Sequence, residues 1–242
     1  NQYICVSNNI MEILQKSGIS DKKITVIHSC VDLSGYTEMG TGAGLKKKYS
    51  LDENSIIIGT IAAFTGHKDY PNFLKAAKIV CERNKNVYFT ALGNGPDLEK
   101  ITLLKNQLNL DKHVFFLGFQ KNIKPFLKDF DIFVLSSKKE GLGSSLLDAQ
   151  ATGIPIVATN AGGIPEAVKP DFSAFIVEKE NPKKLAEYIL KLCESMDLRN
   201  KMGENGKHVI KSFDIKELIK KYDNIYLKLL DFSPDGGLNE NI

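Results

Sequence analysis

The sequence predicts an α/β fold in which helices cover both faces of a parallel sheet, and three observations carry that reading. From residue 55 onward, short apolar runs alternate with segments of helical period. Runs such as Ile132-Phe-Val-Leu are apolar throughout rather than alternating, as in strands buried on both faces. Glycine-bearing turns at 93–96, 141–143 and 162–163 punctuate the pattern where strand must give way to helix. The strands fall at 56–64, 87–92, 114–117, 132–136, 156–159 and 175–177. Helices fall at 71–83, 97–108, 123–128 and 145–152, with a short turn of helix at 165–168. Right-handed crossovers between six such strands give a doubly wound, Rossmann-like sheet.

Taken in order, residues 3–7, 9–17 and 24–28 read as strand, helix and strand, the helix ending at Gly18. A glycine-rich stretch, 35–44, lacks apolar periodicity and reads as a surface crossing. A boundary is therefore placed there, with 1–33 as the end of a preceding domain, 34–54 as a linker and 55–212 as the Rossmann-like domain. The chain begins at Asn1 rather than at methionine and enters a strand almost at once, so a piece of a longer protein is expected. Helices at 182–194, 198–212 and 215–230 close the chain, the last of them and its tail forming the unit 213–242. That helix carries Ile215, Leu218, Ile219, Tyr222, Ile225 and Leu229 on one stripe, and such a stripe is expected to pack on the protein's own core.

Composition excludes several classes. Hydrophobic residues make up 43% and charged ones 25%, the balance of an ordinary globular chain. The net charge of +3 is spread over predicted helices and turns without aromatic interleaving, which argues against a nucleic-acid partner. Cys5, Cys30, Cys81 and Cys193 stand far apart, with no CxxC spacing, and read as free thiols of a reducing, cytoplasmic compartment. The longest apolar run, 56–64, falls well short of the ~20 residues that span a bilayer.

Chemistry is expected in the loops at the carboxyl edge of the sheet, where ligands of open α/β sheets collect. The first loop, Thr65-Gly-His-Lys-Asp, offers Lys68 to an anion. The second, Gly93-Asn-Gly-Pro-Asp-Leu, lacks the third glycine of a dinucleotide fingerprint and reports a tight turn. Asp129-Phe-Asp131 imitates a DxD metal motif, but no histidine or carboxylate cluster stands beside it, and no metal is expected. The informative loop is Lys138-Lys-Glu-Gly-Leu-Gly-Ser-Ser-Leu-Leu-Asp148. It opens a helix whose expected N-cap is Ser144 or Ser145, and so presents unpaired N–H groups and a positive dipole end to an anion. Glu140 stands before the turn, and Asp148 lies one turn inside the helix, about 6 Å along its axis at ~1.5 Å per residue. Sugar hydroxyls, a diphosphate and a ribose would meet those three features in that order.

Val26-Ile-His-Ser-Cys-Val-Asp32, Ala91-Leu-Gly-Asn-Gly-Pro96, Phe116-Leu-Gly-Phe119, Asp131-Ile-Phe-Val-Leu-Ser-Ser137 and Gly153-Ile-Pro-Ile-Val-Ala-Thr159 follow one another along the chain. In that order and spacing they resemble the successive blocks of the family 4 retaining glycosyltransferases of the GT-B fold. Glu140 to Asp148 stands where that family has E-x7-E, and Gly162-Gly163 with Glu166 matches the block that follows. The resemblance implies a C-terminal, donor-binding half that takes a UDP-, GDP- or ADP-sugar. Glu140 would serve the donor sugar and the charge developing at its anomeric carbon. Gly141, Leu142, Gly143 and Ser144, with Lys68, would hold the diphosphate, Asp148 the ribose, and Gly118 and Phe119 the base. It further implies no metal or other cofactor, a glycan, lipid-linked or small-molecule acceptor bound mainly by an N-terminal domain, a last helix crossing toward that domain, and a location in the cytoplasm, at the inner face of the membrane in relatives with lipid-linked acceptors. Two positions differ from the pattern: Ala62-Ala63 stands where an arginine is common, and Asp148 replaces the second glutamate. Those differences keep a second expectation open, a non-catalytic nucleotide-sugar-binding or interaction subunit. A nicotinamide-dependent oxidoreductase ranks third, for want of the full fingerprint.

Overall fold

The computed structural model describes residues 2–37 and 39–230, and the predicted tail beyond residue 230 lies outside them. A small parallel pair, β1 (Tyr3–Cys5) and β2 (Ile24–Val26), is joined by α1 (Asn8–Lys16). A four-residue helix, α2 (Leu45–Lys48), leads into the main sheet. That sheet contains β3 (Ile56–Ile61), β4 (Val87–Leu92), β5 (Val114–Gly118), β6 (Ile132–Leu135), β7 (Ile156–Thr159) and β8 (Ala174–Val177). Between them run α3 (Tyr70–Arg83), α4 (Leu98–Gln107), α5 (Lys124–Asp129), α6 (Ser144–Thr152) and α7 (Ile164–Ala167). Three helices follow: α8 (Pro182–Cys193), α9 (Met196–Val209) and α10 (Ile215–Leu229).

The strand order is β5-β4-β3-β6-β7-β8, and every pair is parallel. The order reverses between β3 and β6, so the crevice at that switch point lies between the loops leaving those two strands. Each strand feeds both faces. In β6, Ile132 and Val134 enter one core with Phe73, Val80 and Ile189, whereas Phe133 and Leu135 enter the other with Leu127, Leu146 and Ile210. The pleat alone sends successive side chains to opposite faces, which is why these strands are apolar at most positions on both faces.

Local chemistry sets the helix starts. Asn181, Ser195 and Asp214 cap α8, α9 and α10 by accepting from Lys184, Leu198 and Lys216 N–H at 3.0, 3.1 and 3.0 Å. The expected cap of α6 is corrected. Gly143, at φ +87°, holds the N-cap position without a side-chain bond, and Ser144 is the first helical residue. The predicted first strand also ends early, at Ile61. Beyond it Ala62 and Phe64 donate to Leu92 and Asn94 carbonyls, and Phe64 folds into the core stacked on Tyr70 at 4.2 Å.

Two expectations meet a different packing. Within 34–54, expected to be a linker with a surface crossing at 35–44, Leu45 is buried, and Tyr36, Met39, Ala43 and Tyr49 pack against the core on the β6–α6 side. These contacts are scattered, so no period betrays them. Among the described residues nothing buries the apolar stripe of α10: no residue of the helix is buried, and Ile219, Tyr226, Leu227 and Leu229 are exposed. Periodicity reveals an apolar face but not what covers it.

Candidate functional site

The β3–α3 loop and the β6–α6 loop meet at the switch point. Lys68 Nζ donates to Glu140 Oε1 at 2.5 Å, with the two side chains only 18% and 9% exposed. Ser137 Oγ donates to the same oxygen at 2.6 Å. The loop carrying Lys68 is clamped from below, because Ser136 Oγ donates to the Lys68 and Asp69 carbonyls at 3.1 and 3.2 Å, and Lys138 N–H to the His67 carbonyl at 2.7 Å. Glu140 is held from the other side by the glycine pair. Gly162 lies at φ +60°, and a Cβ there would come within 2.0 Å of the Glu140 carbonyl, so only glycine allows the two backbones to approach.

Downstream of Glu140 the remaining predicted residues occupy a single edge. Gly141 is half-buried, and Leu142 is 3% exposed, its side chain packed in the core, so only its backbone is available to a ligand. Gly143 and the exposed Ser144 start α6, whose first N–H groups lack intrahelical partners. Asp148 lies one turn inside the helix. Gly118 ends β5 at φ +70°, and Phe119 beside it stands 75% exposed. The structure thus joins Lys68 to Glu140 directly, and sets Asp148 and the Gly118-Phe119 pair apart from them.

Two site features escaped the sequence. Tyr36 reaches out of the 34–54 segment and donates its hydroxyl to Asp148 Oδ1. Lys124 covers the Tyr36 ring, its Nζ 4.8 Å from the centroid and donating to the Gly35 carbonyl at 2.6 Å. Burial pushes the Asp148 carboxyl above its ordinary range, against the opposing pull of the Tyr36 hydroxyl and the Lys124 charge. The Tyr36 phenol is pushed up as well, by burial and then by its bond to that carboxylate. Ser137, by contrast, stands only three residues before Glu140, close enough in sequence for its hydroxyl to reach the carboxylate.

The second feature is Glu166, on α7. Its Oε2 accepts from Asn8 N–H and Asn8 Nδ2, each at 2.7 Å, and its Oε1 accepts from Asn9 N–H at 3.0 Å. His28 Nε2 lies 3.1 Å from Oε2. A carboxylate of the main domain therefore caps the first helix of the chain, where the dipole favours it. Burial would raise the Glu166 pKa, but the Asn8 and Asn9 N–H groups and His28 outweigh it and hold it below the ordinary range.

The DxD-like pair serves the backbone. Asp129 Oδ2 accepts from Leu45 N–H and Asp131 Oδ2 from Ile57 N–H, both at 2.8 Å. Among the described residues no group of three or more histidine, cysteine, aspartate or glutamate side chains is placed to hold a metal ion. Gly93 has a packing role: a Cβ there would meet the Ala62 carbonyl at 2.0 Å. No helix among the described residues is long and apolar enough to cross a membrane, and all four cysteines are free.

The sequence profile of the family described as "Glycosyl transferases group 1" matches residues 44–209. The chain belongs to that family. It is 28% identical over 233 residues to N-acetyl-alpha-D-glucosaminyl L-malate synthase of Bacillus anthracis, covering 96% of this chain and 60% of that enzyme. It is also 28% identical over 233 residues to UDP-Gal:alpha-D-GlcNAc-diphosphoundecaprenol alpha-1,3-galactosyltransferase of Escherichia coli, covering 94% of this chain and 60% of the relative. The chain thus spans 60% of the length of those curated relatives. Its fold matches a crystal structure of a glycosyltransferase from Rickettsia africae with a TM-score of 0.86 at 24% identity, over 96% of this chain and 64% of that one. It matches the Anabaena protein HepE in complex with UDP with a TM-score of 0.85 at 19% identity, over 94% of this chain and 64% of that one. The α/β fold with six parallel strands, expected from the sequence, is the fold of these GT-B-type structures.

Proposed function

We propose that this chain is the donor-binding half of a retaining glycosyltransferase of family 4, moving a sugar from a UDP-, GDP- or ADP-sugar to an acceptor. The observation that carries the reading is the buried Lys68–Glu140 pair at the switch point, set beside the start of α6. Lys68 and the first N–H groups of α6, around Gly141 to Ser144, receive the diphosphate and stabilise the charge it acquires as it leaves. Glu140, freed from Lys68 as the diphosphate takes over that ammonium, faces the sugar and steadies the positive charge at the anomeric carbon. Asp148 has one oxygen held by Tyr36 and offers the other to the ribose, while Gly118 and Phe119 lie beside the base. The charge stabilisation in this scheme comes from protein groups, and no metal or other cofactor takes part.

The acceptor binds across a cleft formed with an N-terminal domain, of which 1–33 is the end and toward which 213–242 crosses; 34–54 links it to the donor domain, 55–212. The names of the relatives include a malate-linked product and a diphosphoundecaprenol-linked acceptor, which supports a small-molecule or lipid-linked acceptor here, reached from the cytoplasm and, for a lipid, at the inner membrane face. By itself the chain binds donor nucleotide and transfers little or no sugar.

The test is calorimetry with UDP, GDP and ADP on the chain and on its Lys68→Ala and Glu140→Ala variants. Binding of one nucleotide, weakened by the Lys68 change, is expected. No binding even at about millimolar concentration, ~4 kcal/mol of affinity, overturns the site. Ala62-Ala63, in place of a second cation, is the observation that favours a non-catalytic binding subunit instead. Nucleotide binding without donor cleavage by the full-length protein decides for that reading. Turnover that falls by orders of magnitude in Glu140→Gln decides for catalysis.

A further inference from the structure

Beside Glu140 lies a cavity of about 550 Å³. Glu140, Gly141 and Gly162 form one wall, and Asn9, Ile10 and Ile13 of α1 form another. The rest of the lining is basic: His67 from the β3–α3 loop, Lys138 and Lys139 from the β6–α6 loop, and Lys179 from the β8–α8 loop. Lys138 is already answered, its Nζ lying 2.7 Å from Glu180 and 3.9 Å from Asp69. Lys139 and Lys179 are exposed and form no ion pair among the described residues. Two ammonium groups that form no ion pair among the described residues thus flank a cavity with Glu140 in its wall.

These lysines are not the diphosphate site of the donor. That site uses Lys68 and the start of α6, and neither Ser144, Asp148 nor Phe119 reaches this cavity. The two regions share only Glu140 and Gly141. A group lodged in the cavity would lie against Glu140, the residue that the donor-site reading sets at the sugar. Resting on the donor-site reading above, we propose that the acceptor carries a phosphate ester, received by Lys139 and Lys179 in the cavity beside Glu140. Lysines act here as point charges toward a compact dianion. Ile10 and the half-exposed Ile13 add an apolar edge that a lipid chain would use and a free sugar phosphate would not.

The experiment titrates glucose 1-phosphate and geranyl phosphate, the latter below its micelle concentration, into the chain saturated with whichever of UDP, GDP or ADP binds it. Methyl glucoside and geraniol serve as neutral controls. Both phosphates are expected to bind and the neutral compounds not. Lys139→Ala with Lys179→Ala weakens the phosphates by about tenfold or more and leaves nucleotide affinity within about twofold. Lys139→Glu with Lys179→Glu abolishes phosphate binding. Geranyl phosphate binding tighter, and losing that advantage in Ile13→Ala, assigns a lipid-borne phosphate; equal or weaker binding assigns a water-soluble one. Phosphates that bind no better than the neutral controls, or equally well to the double variant, overturn the proposal. So does a double variant that loses nucleotide affinity instead, since its lysines then serve the donor. Failure of every nucleotide to bind counts against the donor site alone, and the phosphate titration is then read on the nucleotide-free chain.

Discussion

The Lys68–Glu140 pair allows the donor reading to be tested through stability and binding together. Lys68→Met removes the ammonium from a carboxylate that is 9% exposed and keeps only the Ser137 hydroxyl at 2.6 Å. Breaking a buried pair by removing one partner costs about 3–5 kcal/mol, and the 18% exposure of Lys68 with the remaining hydroxyl sets this case at the lower end, about 3 kcal/mol. Glu140→Gln leaves an amide oxygen that still accepts from both neighbours, so its cost is about 1 kcal/mol. The double variant strands no charge, and is expected to be more stable than Lys68→Met alone by about 1–2 kcal/mol. Denaturant unfolding of the four proteins measures the cycle. Binding then separates the roles. Lys68→Met is expected to weaken the bound nucleoside diphosphate by about 1.5–3 kcal/mol, the worth of a charge-assisted hydrogen bond. Glu140→Gln releases Lys68 toward the diphosphate and is expected to hold or improve affinity. Additive stabilities within about 0.5 kcal/mol, or a Glu140→Gln variant that loses as much affinity as Lys68→Met, would refute the reasoning.

Two further outcomes follow from the same side-chain contacts. Tyr36→Phe deprives Asp148 of its phenol partner and is expected to reduce the preference for a ribo- over a 2′-deoxyribonucleoside diphosphate by about tenfold, a ~1.4 kcal/mol effect; calorimetry with the matched pair measures it, and an unchanged preference removes Tyr36 from the site. Burial raises the Asp131 carboxyl above its ordinary range despite the Ile57 N–H bond that favours the charged form. The folded protein therefore binds more protons than the unfolded chain just above the unfolded value of about 3.9, and stability contributed by this group falls as pH rises to the folded pKa. Asp131→Asn keeps an acceptor for Ile57 N–H without that titration, so its unfolding free energy is expected to gain on the native protein's as pH rises above the unfolded value of about 3.9. Parallel pH profiles for the two would contradict it.

The sequence by itself determined the six parallel strands and the loops at their carboxyl edge, and it offered Lys68 and Glu140 as site residues. Each of these is local: buried parallel strands must be apolar on both faces, glycine must stand where a turn reverses, and a helix start must follow. What the sequence left open was contact. Residues 34–54 show no period because Tyr36 and Leu45 are isolated anchors, each fixed by a partner more than eighty residues away, Asp148 for one and Asp129 for the other. Glu166 matches a motif by its neighbours, yet its partners, Asn8, Asn9 and His28, lie at the opposite end of the chain. The cap of α6 went to Gly143 rather than to a serine, because the left-handed turn that brings the Glu140 loop onto the helix needs a residue without a Cβ. Side-chain chemistry is written in the sequence; which side chain answers it across the fold is settled only when the chain closes on itself.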